Sequence, residues 1–202
     1  MGRAGKAFWL LLALVGVAAG LAAYRVVSHG VSAKDEPTSI EVLLAGQLRH
    51  LAIPRAAREM KNPIPLTPEA LSGARGHFAD HCAICHANDG KGQTGIGRNL
   101  YPKAPDMTLP RTQNLSDGEI FYIIENGIRL TGMPAWGQGT AESSRETWKL
   151  VHFIRHLPQL TPQELEEMKS LNPKGKHELE EEEAERRFLE GDDSSPPPAH
   201  SH

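Results

Sequence analysis

The chain has 202 residues with a formal net charge of -3, and 39% hydrophobic, 23% charged and 5% aromatic residues. These values exclude a polytopic membrane protein, a collagen-like chain, a disulfide-rich miniprotein and a strongly basic nucleic-acid binder. Charge is uneven along the chain: residues 1–24 and 25–66 each carry +2, residues 67–160 are neutral with nine charges of each sign, and residues 161–202 carry -7.

Arg3 and Lys6 precede an uncharged run from Ala7 to Tyr24, apolar on all faces through Phe8, Trp9, Leu10, Leu11, Leu12, Leu14, Val15 and Val17. As a helix it spans about 27 Å, close to the roughly 30 Å of a bilayer's hydrocarbon core. The basic residues before it favour a cytoplasmic N-terminus with the rest exported. We read residues 1–28 as a transmembrane anchor. The alternative is a cleaved signal, for which Val31-Ser32-Ala33 supplies small residues, although that site lies well past the end of the apolar run. Both readings export the remainder.

Residues 29–66 read as a linker interrupted by Pro37, Pro54, Pro63 and Pro65. Within it, Ile40, Leu43, Leu44, Leu48 and Leu51 recur at helical spacing and predict a short amphipathic helix, either on the membrane surface or packed on the next domain. Residues 67–160 form the expected core. Thr67 and Pro68 open a helix reaching about His81, with Leu71, Ala74 and Phe78 on one face. Ser116 and Glu119 form a capping box for a helix ending at Asn126-Gly127. Ser143 and Glu146 suggest another, for a helix carrying Trp148, Leu150, Val151, Phe153, Ile154 and Leu157 and stopped by Pro158. Residues 87–113 are rich in Gly, Pro and Asp and read as loop. No run predicts a strand, so the fold class is all-α. Residues 161–202 read as an acidic tail: a helix from Thr161-Pro162 to about Leu171, a Glu-rich run over 178–187 that is a solvated helix or disordered, and a low-complexity end over 194–202.

The two cysteines stand in Cys82-Ala83-Ile84-Cys85-His86. Thiols at i and i+3 lie on one helical face, placed to add across the two vinyl groups of a haem, with an imidazole beside them for the iron. This is the c-type haem attachment pattern. A zinc site would need more ligands than the sequence's two cysteines provide, and a thioredoxin-like site needs a βαβ context that is not visible. For the second axial position the candidate is Met133, in Thr131-Gly132-Met133-Pro134-Ala135-Trp136, where a Gly/Pro-rich loop can press a thioether onto iron. Met107 is the runner-up, and Met60 and Met168 are placed outside the core. His152 and His156, one turn apart, read as exposed or interfacial.

With these motifs, residues 67–160 resemble a class I monohaem cytochrome c of the bacterial cytochrome c/cbb3-subunit type. Phe78 sits four residues before Cys82, where the family has an aromatic. Phe153 or Trp148 supplies the aromatic of the crossing C-terminal helix. The stretches from Leu115 to Ile120 and from Asn126 to Ile128 resemble the family's middle helix and its end. The resemblance implies the cytochrome c fold around one haem c bound through Cys82 and Cys85, with His86 and Met133 as iron ligands. Two positions depart from the family: Ala74 stands where a glycine lets the terminal helices cross, and Arg98 stands where a proline carbonyl often accepts from the ligand histidine, leaving Pro102 and Pro105 as nearby alternatives.

Lys91, Arg98, Lys103, Arg111 and Arg129 are basic residues of the haem-proximal loops, of which one or two are candidates for haem propionates or for steering an acidic partner. Trp136 is a candidate haem-lining residue or a core residue, and His200 and His202 form a weak metal-binding candidate. No nucleophile–base pair or phosphate loop is evident. The expected function is electron transfer by a membrane-tethered cytochrome on the periplasmic side of a bacterial cytoplasmic membrane. Its expected partners are a redox donor and acceptor among membrane respiratory complexes, with no nucleic acid. The alternatives are a cytochrome subunit of an oxidase or dehydrogenase complex, a haem-based gas sensor, and a metal-handling protein using the histidine tail.

Overall fold

The computed structural model describes residues 2–175 together with residues 183, 184, 186, 187 and 189. The low-complexity end, most of the Glu-rich run, His200 and His202 lie outside the described residues. Helix α1 (Arg3–His29) is followed by α2 (Ser39–Ala52), α3 (Arg55–Glu59) and α4 (Pro68–His77). Helix α4 continues without a break through a π-helical turn (Phe78–Cys82) into α5 (Ala83–His86). Then come a 3-10 turn (Gly97–Asn99), α6 (Pro110–Gln113), α7 (Asp117–Asn126), α8 (Ala141–His156), a second 3-10 turn (Leu157–Gln159) and α9 (Pro162–Leu171). No strand occurs among the described residues, as the sequence leads one to expect.

Local chemistry explains the helix starts. Thr67 caps α4 by accepting from the Ala70 amide, with Pro68 in the first turn, where its missing N–H costs nothing. Ser116–Glu119 and Thr161–Glu164 close full capping boxes on α7 and α9. Helix α8 differs from the sequence expectation, because its cap is Thr140, which accepts from the Ser143 amide at 3.1 Å. Ser143 is thereby one turn inside the helix. Its hydroxyl accepts from the Gln138 amide, and Glu146 pairs with Lys149.

The core is the crossing of α4 and α8. Ala74 is completely buried there, while Gly73 faces open space, so the small residue at the crossing is the alanine. Phe78 and Phe153 meet one turn further on, with ring centroids 5.0 Å apart. Trp148 instead stacks on Phe121 of α7 at 4.1 Å, so Phe153 is the aromatic of the crossing. Full burial of such side chains contributes about 1.5–3 kcal/mol each.

Helix α9 folds back on this pair. Arg75 of α4 reaches Glu164 at 3.3 Å and Glu167 at 2.8 Å, and Met168 is fully buried. The sequence reading places Met168 outside the core. The structure corrects this: the apolar side of α9 packs against α4 and the π-helical turn, with the ion pairs flanking it.

Helix α1 contains a candidate membrane span, Arg3–Ser28, with a mean hydropathy of 2.1 and none of it buried in the protein. Helix α2 exposes Ile40, Leu43, Leu44, Leu48 and Leu51, but the chain after it docks. Ile53 and Ala57 are buried, and Gly118 of α7 lies so close to α3 that a Cβ there would stand 1.9 Å from the Ala57 carbonyl oxygen. The Ser116 hydroxyl donates to the Arg58 carbonyl, and His50 Nδ1 lies 2.9 Å from Glu119 Oε1.

Candidate functional site

The π-helical turn delivers the first cysteine. In it the Ala83 amide donates to the Phe78 carbonyl, five residues back, instead of four. Such single turns within an α-helix change the direction of the side chains that follow, and they recur at functional sites. Phe78 thus stays in the core while Cys82, Cys85 and His86 face a cavity. The helix stops at Ala87, whose φ of 60° is uncommon for a residue with a Cβ.

The carbonyls that α5 leaves without intrahelical partners are satisfied by the following loop. Gly92 N–H donates to His86 O at 2.8 Å, and the Thr94 hydroxyl donates to Cys85 O at 3.1 Å while accepting from Gly97 N–H. Gly97 packs directly on the motif: a Cβ there would stand 2.2 Å from Cys85 O.

A second strap enters from the end of α7. Gly127 turns the chain at φ 65°, and a Cβ there would stand within 2.7 Å of Met133 O and Ala135 N. Ile128 N–H donates to Met133 O, Thr131 Oγ1 accepts from Met133 N–H, and Trp136 and Gly137 N–H groups donate to Ile124 and Glu125 carbonyls. Met133 is therefore bonded on both sides of its peptide. Gly132 beside it packs on Leu100, which joins this strap to the loop after the cysteine motif.

The two straps line a cavity of about 340 Å³, which shares a wall with a second, more core-lined lobe of about 110 Å³. Cys82, His86, Met133 and Trp136 line both, and Cys85 lines the outer part. The second lobe is walled by core residues, among them Phe78, Ile120, Ile124 and Leu150.

Burial, and then the neighbouring Cys85, push the Cys82 thiol up to about 12, and burial also raises Cys85. Burial lowers His86, favouring the neutral imidazole, the form that binds a metal. The buried His86 Nδ1 has no hydrogen-bond partner among the described residues. Two unbridged thiols, a neutral buried imidazole and a thioether around an apolar cavity are the donor set that a haem of c type requires, and the residues present fit that group.

The other sequence candidates separate. Met107 is buried and lines only the second lobe. His152 bonds the Ile64 carbonyl and His156 bonds Glu164, both away from the cavity. Lys103 and Arg111 line it, Arg98 and Arg129 do not, and Lys91 faces Asp89. Trp136 packs edge-on to His81 at 5.6 Å. Arg49 of α2 lines both lobes and was not among the sequence candidates, since no local pattern marks it.

Residues 69–154 match the family model described as cytochrome C oxidase, cbb3-type, subunit III. This stretch is a class I c-type cytochrome domain. The match contains the cysteine motif and the methionine strap, and a cytochrome c domain of this kind implies covalently bound haem c. The cytochrome domain is thus an electron-transfer module, preceded by an apolar helix consistent with a membrane anchor. No curated protein matches the chain.

Proposed function

We propose that this chain is a membrane-tethered monohaem cytochrome that passes electrons between redox proteins on the periplasmic side. The supporting observation is that Cys82, Cys85 and His86, on one helical turn, and Met133, on a distant loop, line one apolar cavity. In this reading Cys82 and Cys85 would hold the haem by thioether bonds, and His86 and Met133 would ligate its iron. Bound there, the haem supplies a one-electron ferric–ferrous couple. The chain's own part is to exclude water from most of the ring with Phe78, Ile120, Ile124 and Leu150, and to hold both ligands in strapped backbone so that little rearranges on electron transfer. A methionine–histidine ligand pair sets a higher potential than other common pairs.

The test is a potentiometric titration of the full chain matured with a c-type haem attachment system. The expected result is one low-spin, high-potential centre that Met133→Ala converts to a high-spin, lower-potential form binding carbon monoxide, while Met107→Ala leaves it low-spin. A wild-type centre that is high-spin, or that survives Met133→Ala unchanged, overturns the ligand assignment.

A second reading, as the cytochrome subunit of a membrane oxidoreductase, is favoured by the oxidase subunit named in the family description. It predicts that the chain co-purifies from native membranes with a larger catalytic subunit. Recovery of the chain alone in mild detergent would count for the carrier.

A further inference from the structure

We propose that Arg49, on the helix preceding the cytochrome domain, binds an anion in the haem cavity and, together with Arg111, holds a carboxylate of the haem propionates. The proposal rests on the haem reading above, and adds to it a residue twenty positions outside the family-matched stretch.

The placement of α2 comes first. Glu41, which closes the capping box at its start, accepts from the Tyr101 hydroxyl at 3.1 Å, and Lys103 pairs with Glu36 just before it. At its other end His50 bonds Glu119, and Ile53 is buried. Helix α2 is thus tied to the cytochrome domain at both ends, with Leu43, Leu44, Leu48 and Leu51 outward and Arg49 lining both lobes of the cavity.

The state of the guanidinium comes second. Arg49 Nε is buried without a partner, and among the described residues no hydrogen bond or ion pair reaches any part of that side chain. Arg58 and Arg75 also bury an unpartnered Nε, but their other nitrogens bond His50, and Glu164 and Glu167, respectively. A half-buried guanidinium whose Nε is cut off from water and has no counter-charge in contact is unfavourable, and arginine's fork matches a carboxylate. The carboxylate of Glu119 is nearby but already accepts from the Ser116 amide at 2.7 Å and faces His50 at 2.9 Å.

Arg111 supplies the third observation. It lines the same outer cavity, and its charge adds to burial in lowering Arg49. Two guanidiniums at one apolar cavity suit an anion carried on a flat apolar group. Haem, bound through the cysteines of that cavity, presents two carboxylates on such a group.

The experiment uses the full haem-loaded chain in detergent, with Arg49→Gln, Arg49→Lys, Arg111→Gln and the Arg49→Gln/Arg111→Gln pair. Loss of a positive charge beside the propionates favours the ferric state. Arg49→Gln is expected to shift the ferric/ferrous ratio at fixed potential by about three- to tenfold, or about 30–59 mV for one electron, with the low-spin spectrum retained. The double variant should shift less than the sum of the singles, because both residues hold one anion. Arg145→Gln, on the exposed start of α8, should leave the potential unchanged. An Arg49→Gln protein with wild-type potential and spectrum overturns the proposal and leaves the haem reading intact. A wild-type chain that binds no haem overturns both. If Arg49→Gln does not accumulate, Arg49→Lys is read by the propionate bending band in resonance Raman: a shifted band supports the contact, and an unshifted one overturns it.

Discussion

Gly127 shows how one residue positions the strap that carries Met133. It combines a φ of 65° with backbone on three sides at the position a Cβ would take. Gly127→Ala should therefore cost about 1–3 kcal/mol and also push the Met133 strap outward. Denaturant unfolding of the haem-loaded protein would measure the first effect, and appearance of a high-spin fraction the second. A stable, fully low-spin variant would show that the strap accommodates a side chain. Phe78 and Phe153 act differently, through packing alone. Either one changed to alanine should cost about 3–5 kcal/mol. A double-mutant cycle should return a coupling of about 0.5–1.5 kcal/mol for the ring pair, and a zero coupling would mean that each ring packs mainly on other neighbours.

At the scale of elements, the decisive contacts join pieces distant in sequence. Arg155 of α8 donates to Asp117 at the start of α7 and to the carbonyls of Gln113 and Leu115 before it, and Gln113 in turn donates to Met107 and Ile154 carbonyls. Arg155→Ala removes several charge-assisted bonds at once and should destabilise the domain by about 2–3 kcal/mol, read as a lower urea midpoint with unchanged slope. The close approach of α3 to α7 depends on Gly118. Gly118→Ala should separate these helices, and with them α2, from the cavity. If Arg49 acts as proposed, this variant lowers the haem potential without touching any cavity residue, whereas a variant with unchanged potential would mean that α2 stays in place through its other ties.

For the whole molecule, pH and the membrane are the external variables. Burial tends to raise Glu119, but the Ser116 backbone bond and His50 outweigh it and hold the carboxyl below its ordinary value of 4.5. Glu164 behaves likewise, burial being outweighed by the Thr161 backbone bond and His156. A carboxylate lowered in the folded state contributes stability above its unfolded value and loses it as pH falls through the folded one. Stability from these two groups should hold above about pH 4.5 and decline below it, and Glu119→Gln should flatten that decline. An unaltered acid limb in the variant would assign acid unfolding to other carboxylates. The apolar helix α1 leads to a further expectation: the chain should stay with membranes in high salt, with residues 1–33 present by mass. A mature chain beginning after Ala33 would identify the segment as a cleaved signal.

Much of this could be read along the chain because the relevant interactions are local. The capping boxes at Ser116 and Thr161, the Pro68 start and the apolar run of α1 are set by neighbours within one helical turn or by composition. The Cys82–His86 spacing carries its own chemistry. Other features depend on residues far apart. Thr140 caps α8, instead of Ser143, because the preceding turn leaves Ser143 inside the helix and bonded to Gln138. Met168 becomes core because α9 folds back on α4, nearly a hundred positions earlier, where Arg75 pairs with Glu164 and Glu167. The choice of Phe153 over Trp148 follows from which ring meets Phe78 when α4 and α8 cross. Arg49 lines the cavity where α3, a few residues on, packs on α7 and Ile53 is buried. Periodicity shows which face of a helix is apolar but not what lies opposite it, so the sequence alone determined the longer helices and the haem motif, while the short helices α3 and α6, within stretches that read as linker and loop, appear only in the structure. The tertiary structure decided which distant side chains share the cavity, because burial and charge pairing act between surfaces that only folding brings together.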